Sequence, residues 1–523
     1  MGSRTMAKDP KSTQHWLVAI AVMSSAMMEV LDTSVVNVSL PHIAGSLSAT
    51  VDEATWVLTS YIVANAIILP LTGWLANYFG RKRLLMTVVT GFTLSSVLCG
   101  LAPSLGALIF FRILQGTTGG GLQPLSQAVL LEEFPPEQRG TAMGFWGMGI
   151  FAAPILGPTL GGWITDHASW RWVFYINVPI GITSLILISM FVHDPAYIRR
   201  GALRVDAIGI GMLALGMGSL QIFFDKGQED NWFSSHFILT LFVIASVMLT
   251  AFVLWEWRSR EPLVDLRLLR DRNMAAGLGL VFLLGFVLYG SLIVLPLFMQ
   301  QLLGYSATQA GLWTSPRGIG TAILMPIVGW MLGKRLDGRW MIVFGCLIAS
   351  VAMFGFSQMT LNSGTWNIFW HQINQGVGMA FIFIPLTTLT VAFVPKERIG
   401  YATSLYSVMR NIGSSVGISI STTLLARHAQ IHQNLLVGSL NPARPAVQQF
   451  LRAIGGAAAS GATAASPAAL RAWAVLDRIL QQQSLLLSYA DVFRVMGIIL
   501  VLMAPWALTM RRAPASRMAA AGH

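Results

Sequence analysis

The chain of 523 residues is 54% hydrophobic and only 11% charged, with a mean hydropathy of +0.64. Soluble proteins carry about a quarter charged residues, so this composition excludes an ordinary soluble protein. The net charge of +12 does not indicate nucleic-acid binding, because the basic residues gather in loops between apolar segments, where they act as a topology signal.

Apolar runs of roughly 20 residues, each long enough to cross a hydrocarbon core of about 30 Å, recur along the whole chain. They predict an all-α membrane protein with fourteen transmembrane spans, at residues 16–40, 54–75, 84–102, 105–130, 141–165, 172–192, 204–224, 237–256, 274–298, 307–332, 340–360, 366–392, 402–425 and 489–510. If the N-terminus is cytoplasmic, most of the 34 Lys and Arg residues are cytoplasmic, and the short outside loops carry only Arg171 and Lys226. This asymmetry predicts that both termini are cytoplasmic.

Two pairs of similar segments indicate an internal repeat. "GWLANYFGRKRLLM", from Gly73, resembles "GWMLGKRLDGRWMI", from Gly329, and "QGTTGGG", from Gln115, resembles "QGVGMAF", from Gln375. Many secondary transporters are built from such repeats, with the substrate site between the halves. The sequence therefore predicts two six-helix bundles with two extra helices inserted between them. The predicted parts are an N-terminal bundle at 1–195, inserted helices and a linker at 196–265, and a C-terminal bundle at 266–523 with a long outside loop at 427–488.

Two carboxylates lie inside the first predicted span, in "MMEVLDTSVVN". Glu29 and Asp32 are three residues apart, so they share a helix face. Arg112, in the antiparallel fourth span, lies at a similar depth, since a rise of about 1.5 Å per residue puts both Asp32 and Arg112 roughly 10–12 Å below the outer end. A buried charge is costly unless it is paired or neutralised. The arrangement predicts either a carboxylate that exchanges a proton as its partner moves, or a static ion pair between two helices.

Small residues recur at every fourth position of the fifth predicted span, at Gly149, Ala153, Gly157 and Gly161. Such a ladder lets another helix backbone approach closely. Pro154 and Pro158 each remove a helix hydrogen bond and permit a bend. Close packing alone and a bend with a role in transport both remain open, and a weaker ladder follows at Gly413, Gly417 and Ser421.

Four segments together resemble signature motifs of the major facilitator superfamily, in its fourteen-span drug:proton antiporters of the EmrB/QacA type. They are "LDTSVVNVSLP", "GWLANYFGRKRLL", "LIFFRILQGTTGGG" and "APILGPTLGGWI". The loop "LQIFFDKGQEDNWFSS" and the long last outside loop resemble the EmrB branch. The resemblance covers nearly the whole chain. It implies a bacterial inner-membrane pump that exports hydrophobic, often anionic or uncoupler-like drugs in exchange for protons, with the proton gradient in place of a cofactor.

The resemblance also implies roles for individual residues. It assigns proton coupling to Asp32 and Arg112. Glu29, one turn from Asp32 on the same helix face, is expected to be a substrate-side or auxiliary acid. It implies an antiporter motif that seals or bends the face between the halves, at Gly157, Pro158, Gly161 and Gly162. It implies a cytoplasmic latch between the halves, at Gly73, Asn77, Gly80, Arg81 and Arg83. The family usually has an aspartate where this chain has Asn77, which can accept a hydrogen bond but supplies no charge.

Further candidates for substrate or coupling contacts lie in both halves. Arg317 and Arg410 are second-half cations without an acidic partner in their own spans; either they contact an anionic substrate or the coupling network, or they snorkel to an interface. Gln115 and Asn37 lie within the matching motifs, and His371 lies on the twelfth span, where a local hydrogen bond is the simpler interpretation. We find no HExxH motif and no clustered Cys and His, so we expect neither a metal site nor an enzyme active site.

The resemblance implies partners as well: drugs, protons, membrane lipid, an EmrA-like periplasmic adaptor and a TolC-like outer-membrane channel. The candidate adaptor contact is the loop at 427–488, because its "RAWAVLDRILQQQSLLL" has the spacing of an amphipathic helix. The alternative is a flexible insertion. For the whole protein, a facilitator that exports a lipid or metabolite and a non-transporting sensor remain alternatives.

Overall fold

The computed structural model describes residues 10–194, 205–259, 261–334, 336–440, 444–455 and 467–512. Within these ranges the structure contains helices, turns and bends, and no strand. The all-α class predicted from the sequence is therefore confirmed.

The first half of the chain forms six helical segments, three of them interrupted. They are α1 (Pro10–Ser46), α2 (Val51–Ile68) continued by α3 (Thr72–Phe79), α4 (Arg81–Leu101), α5 (Leu105–Gly119) continued by α6 (Leu122–Glu133), α7 (Arg139–His167), and the short α8 (Trp172–Tyr175) followed by α9 (Asn177–Phe191). The predicted fourth span is thus two helices, with the break at Gly120 and Gly121.

The inserted pair consists of α10 (Ala207–Lys226) and α11 (His236–Arg258), which pack against each other. The second half follows as α12 (Arg272–Gln301), α13 (Ala307–Gly333), α14 (Gly338–Ser357), α15 (Thr365–Thr390), α16 (Ile399–Ser439), α17 (Pro445–Gly455) and α18 (Pro467–Leu508). Short 3-10 helices connect these elements at Leu69–Leu71, Trp232–Ser234, Leu266–Arg270 and Lys396–Arg398.

Eleven of the described helical segments are long and apolar enough to cross a membrane. The remaining three of the fourteen predicted spans are the interrupted pair α5–α6 and the more polar helices α13 and α16. Of these, α6, α13 and α16 contact helices of the other half, and α5 packs on α2 and α4.

Local sequence explains where several helices begin. Thr50 and Glu53 form a capping box before α2, and Ser306 and Gln309 form another before α13. Between α3 and α4 the backbone of Gly80 has φ of 92°, a conformation that residues with side chains rarely adopt.

The two halves repeat the same packing. The α1 helix packs on α7 and α9, and α12 packs on α16 and α18 in the same way. At the corresponding positions Gly157 of α7 touches Ser34 of α1, and Gly413 of α16 touches the backbone of Phe282 of α12. The halves meet mainly where α7 contacts α13.

The expectation of a loop at 427–488 is wrong for much of its length. No proline interrupts the sequence from 426 to 439, so α16 continues beyond the predicted span to Ser439. The predicted amphipathic helix is the first part of α18, which begins at Pro467. Between them α17 packs Val447 and Leu451 against Ala472. The low-complexity stretch at 456–466 lies outside the described residues.

Candidate functional site between the two halves

Asp32 and Arg112 form an ion pair in the core of the first half. Both side chains are fully buried, and Arg112 Nη1 donates to Asp32 Oδ2 over 2.6 Å. The other oxygen, Oδ1, accepts from Gln115 Nε2 at 2.9 Å and from Asn177 Nδ2 at 2.6 Å. The carboxylate thus accepts three hydrogen bonds, two from α5 side chains and one from the side chain of Asn177, and these bonds fix its position.

Arg112 is held from several sides as well. Its Nε donates to the carbonyl oxygen of Val57 at 3.0 Å, and its Nη1 also donates to Gln115 Oε1 at 2.6 Å. The guanidinium carbon lies 4.1 Å from the centre of the Tyr61 ring, a cation–π contact. The pair therefore connects α1, α2 and α5, and a change in its charge would alter contacts of all three helices.

Sequence reasoning found Asp32, Arg112 and Gln115 but missed Asn177. This residue opens α9, and its Nδ2 also donates to Ser96 Oγ at 3.2 Å, which links the network to α4. The available signal was an amide at the start of an otherwise apolar span in "FYINVPIG".

Glu29 shares a face of α1 with Asp32 but belongs to a second network. It is 7% exposed, and its Oε1 accepts from Asn65 Nδ2 at 2.9 Å. The side chain of Gln123 makes a further hydrogen bond to this carboxyl group. Gln123 and Arg410 are its other polar neighbours, and Arg410 Nη2 donates to Gln123 Oε1 at 2.5 Å. Since Arg410 belongs to α16, this contact joins the halves.

A cavity of about 100 Å³ lies between the halves beside this contact. Its walls come from α1, α6 and α7 of the first half and from α12, α13, α15 and α16 of the second. The polar lining residues are Gln123, Tyr289, Thr314, Ser315, Arg317, Thr321 and Arg410, and the apolar ones include Val30, Phe151, Pro154, Leu288, Met379 and Phe383. Pockets for drug-sized ligands measure roughly 300–1,000 Å³, so this cavity would have to widen to admit such a ligand.

Arg317 and Arg410 both line this cavity, and both are less than a tenth exposed. Arg317 Nη1 donates to Ser291 Oγ at 3.3 Å, and the same oxygen accepts from Gln375 Nε2 at 2.8 Å. Neither arginine forms a salt bridge with any carboxylate in the described ranges. Both guanidinium groups lie inside the protein, so the snorkelling alternative is wrong.

The glycine ladder of α7 packs within the first half instead of sealing the two halves. A Cβ on Gly157 would lie 2.2 Å from Ser34 Oγ, and one on Gly161 would lie 3.0 Å from the carbonyl oxygen of Val35, both on α1. A Cβ added to Gly162 would meet nothing within 4 Å. The expectation that these glycines seal the face between the halves is therefore wrong. Pro158, the fourth residue of the motif, lies between Gly157 and Gly161 on α7.

The opposite side of α7 makes the contact between the halves. A Cβ on Gly140 would lie 2.8 Å from the carbonyl oxygen of Gly329, and one on Gly144 would lie 2.5 Å from that of Met325. Backbone therefore touches backbone along α7 and α13. The sequence did not distinguish this second set of small residues, because Gly140 and Gly144 are also four residues apart and lie in the same helix as the ladder.

The residues of the proposed latch lie at the end of the bundle where Gly80 joins α3 to the basic first turn of α4, called the basic end below. Gly73 lies against the backbone of Gly400 and Tyr401 of the second half, where a Cβ would come within 2.8 Å. Asn77 forms a side-chain hydrogen bond with Tyr401.

Arg81 completes the contact from the first half. It is 1% exposed and pairs with Glu132 through Nε at 3.2 Å and Nη2 at 2.8 Å, while its guanidinium lies against Gly400. Arg83 is exposed. A bidentate pair fixes the arginine plane, so α4 and α6 present a rigid surface to α16.

Two of the sequence candidates lie away from the cavity. Asn37 is exposed on α1. His371 packs against Gly355 and Phe356 on α14, and its Nδ1 is buried without a partner among the described residues. The local hydrogen bond expected for His371 is therefore not formed at Nδ1 by any residue that the structure describes.

Comparison with known proteins places these features in a family. The model of the Major Facilitator Superfamily matches residues 22–418. The chain is 40% identical over 445 residues to the multidrug export protein EmrB of Haemophilus influenzae, covering 83% of this chain and 85% of that protein. It is 39% identical over 428 residues to the fatty acid resistance protein FarB of Neisseria gonorrhoeae, covering 81% and 83%. A structure of a double-tryptophan XylE mutant matches with a TM-score of 0.63 at 13% identity, over 96% of this chain and 97% of that one.

Proposed function

Since the chain belongs to the major facilitator superfamily, it is a multi-pass membrane transporter and not an enzyme, and we propose that it is a proton-coupled multidrug exporter. The observation that carries the proposal is the fully buried Asp32–Arg112 pair in the half that faces a cationic cavity. Ionisable residues within membrane spans are functional by default, because burying them is costly.

The cavity favours anionic amphiphiles as substrates. Arg317 and Arg410 supply two guanidinium groups, and the rest of the wall is largely apolar. A carboxylate or phenolate would pair with the arginines, and its apolar body would contact Phe151, Leu288 and Phe383. Two relatives, named a multidrug export protein and a fatty acid resistance protein, agree with this substrate class.

Substrate and proton sites communicate through Gln123. An anion that binds Arg410 competes for the guanidinium that now holds Gln123 Oε1. Gln123 also hydrogen-bonds Glu29, so its release from Arg410 would change the environment of that carboxyl group. Glu29 thus acts as the acid on the substrate side, and Asp32, one turn further along α1, is the main proton carrier.

Protonation of Asp32 would disturb its whole network. A neutral carboxyl group can no longer accept from Arg112, Gln115 and Asn177 as the carboxylate does. The arginine then lacks its counter-charge, and α1, α2 and α5 lose a shared anchor. We infer that protonation favours the conformation in which the basic end is open. While Asp32 is unprotonated, the latch residues Gly73, Asn77, Gly80 and Arg81 hold the basic end closed.

The positive-inside rule supports an orientation in which the basic end and both termini are cytoplasmic, in a bacterial inner membrane. Helices α16 and α18 then extend into the periplasm together with α17. This extension is the candidate contact for an EmrA-like adaptor, which would connect the pump to a TolC-like outer-membrane channel.

The proton gradient is large enough to drive this export. Each charge that moves across 100 mV supplies about 2.3 kcal/mol. Because about 1.4 kcal/mol corresponds to a factor of ten, one proton sustains a substrate gradient of some tens-fold.

Everted vesicles that contain the protein test the proposal. After acidification by respiration, addition of an anionic amphiphile should release protons in protein-containing vesicles and not in vesicles without it. Drug movement without proton release would indicate a facilitator, and proton release with lipids alone would indicate a lipid exporter.

A further inference from the structure

Three potential metal ligands meet at the end of the bundle opposite the basic end. His428 and His432 are one turn apart on α16, and Asp491 faces them from α18. His428 Nδ1 lies 2.9 Å and His432 Nε2 lies 2.8 Å from the same oxygen, Asp491 Oδ2. All three ligand atoms lie within 4.8 Å of one another.

The site lies where an ion can reach it. His428 is 29 positions beyond the start of α16, so it stands roughly 44 Å along the helix, which matches the thickness of about 40–45 Å for a bilayer with its headgroups. The three side chains are 22–33% exposed. They therefore lie at the membrane–water interface, partly open to solvent.

We propose that His428, His432 and Asp491 bind one divalent transition-metal ion of the Zn²⁺ class, which pins the extension of α16 to α18. Two histidines at i and i+4 present imidazole nitrogens on one helix face, and a carboxylate completes a three-ligand set that leaves one position for water. Bonds of about 2.0–2.2 Å to tetrahedral zinc separate the ligand atoms by roughly 3.3 Å. The observed N–O contacts need to open by only about half an ångström to reach this spacing.

Arg494 is a positive charge next to the proposed site and would repel a bound cation. Its Nη1 lies 3.1 Å from Asp491 Oδ1, the oxygen that the histidines do not contact. The arginine side chain is 53% exposed, so it can keep this contact or turn to solvent while Oδ2 coordinates the metal. Imidazole ligands favour zinc, copper and nickel, whereas calcium and magnesium prefer oxygen ligands.

Zinc binding would stiffen the part of the protein that projects beyond the membrane. Leu451 of α17 packs on Ala472, near the start of α18, so a bond between α16 and α18 fixes both ends of the segment that carries α17. The ion is a structural element separate from proton coupling, since its ligands lie at the outer end of the bundle.

Zinc titration of the untagged, full-length protein in detergent tests the site, after removal of metals with a chelator. We expect one Zn²⁺ per chain, a rise in the unfolding temperature, and no competition from Ca²⁺ or Mg²⁺. His428→Gln and His432→Gln should each weaken binding by at least about tenfold. His15→Gln is the matched control, because His15 also pairs with a single carboxylate, Glu133, and should change nothing.

A second measurement needs no variant. Co²⁺ bound to the wild-type protein should give visible absorption bands of a four-coordinate site, and Zn²⁺ should remove them. The proposal is overturned if the wild-type protein binds Zn²⁺ no more tightly than the His428→Gln/His432→Gln double variant, or if Co²⁺ gives no such bands. The three residues would then form only a hydrogen-bonded clasp between α16 and α18.

Discussion

Gly144→Ala should open the basic end of the transporter. In the present structure the new Cβ would lie 2.5 Å from the carbonyl oxygen of Met325 and 3.1 Å from Cα of Pro326, so α7 and α13 would have to separate by about 1 Å to relieve the contact. Overpacking of this kind costs about 1–3 kcal/mol, and it applies only to the state in which the halves touch. The equilibrium should therefore shift toward the opened state by roughly 5- to 150-fold.

Gly162→Ala is the matched control. It lies in the same helix, its Cβ would meet nothing within 4 Å, and it gains the same helix propensity of about 0.5–1 kcal/mol over glycine. Spin labels at Phe79→Cys and Leu336→Cys, two exposed positions on opposite halves at the basic end, report the separation. The native cysteines, Cys99 and Cys346, are buried and should not react. Equal distance distributions in both alanine variants would refute the close-contact argument.

Three further predictions concern the substrate, the latch and the adaptor. Arg410→Gln should reduce efflux of anionic drugs by at least about tenfold in vesicles and leave cationic drugs less affected, whereas Arg494→Gln should not discriminate between them. Asn77→Asp should preserve or improve drug resistance in cells at equal expression, because it restores the charge that the resemblance leads us to expect in the latch; a severe loss would contradict this. Deletion of residues 456–466 should weaken co-purification with the adaptor without unfolding the pump, and unchanged recovery would remove this segment from the interface.

The fold was accessible from the sequence because membrane spans carry a strong, local signal. Apolar length and basic loops do not depend on distant contacts, so the fourteen spans could be predicted. The ends of α16 and α18 could not, because outside the membrane nothing in a hydropathy pattern distinguishes a projecting helix from a loop. The break in the fourth span at Gly120 and Gly121 likewise depends on packing, since Gly120 lies against the backbone of Asn65.

The residues of the candidate site could be predicted where their side chains are rare in membrane spans, and could not be predicted where such side chains are common. An acid or arginine within an apolar span, such as Asp32 or Arg112, is conspicuous. Single amides within spans are common, so Asn177 and Gln123 gave only a weak signal until the structure brought them to the carboxylates. His428 and His432 were missed for a related reason, because their third ligand, Asp491, is distant in sequence.

The central claim is that Asp32 carries the coupled proton, and drug-driven proton release by Asp32→Asn tests it most directly. Asparagine keeps the size of the side chain, but its amide would face one of the three donors and would leave Arg112 without a counter-charge, a loss of about 3–5 kcal/mol for a buried pair. Drug binding is measured on the same preparation to show that the protein is folded.

We expect Asp32→Asn to release no protons while equilibrium drug binding persists within about tenfold. Glu29→Gln should lose less, because its amide oxygen can still accept from Asn65. The exposed Asp166→Asn, at the end of α7, should behave as the wild type. Normal proton-coupled efflux by Asp32→Asn would contradict the account and leave the Asp32–Arg112 pair a structural link between helices.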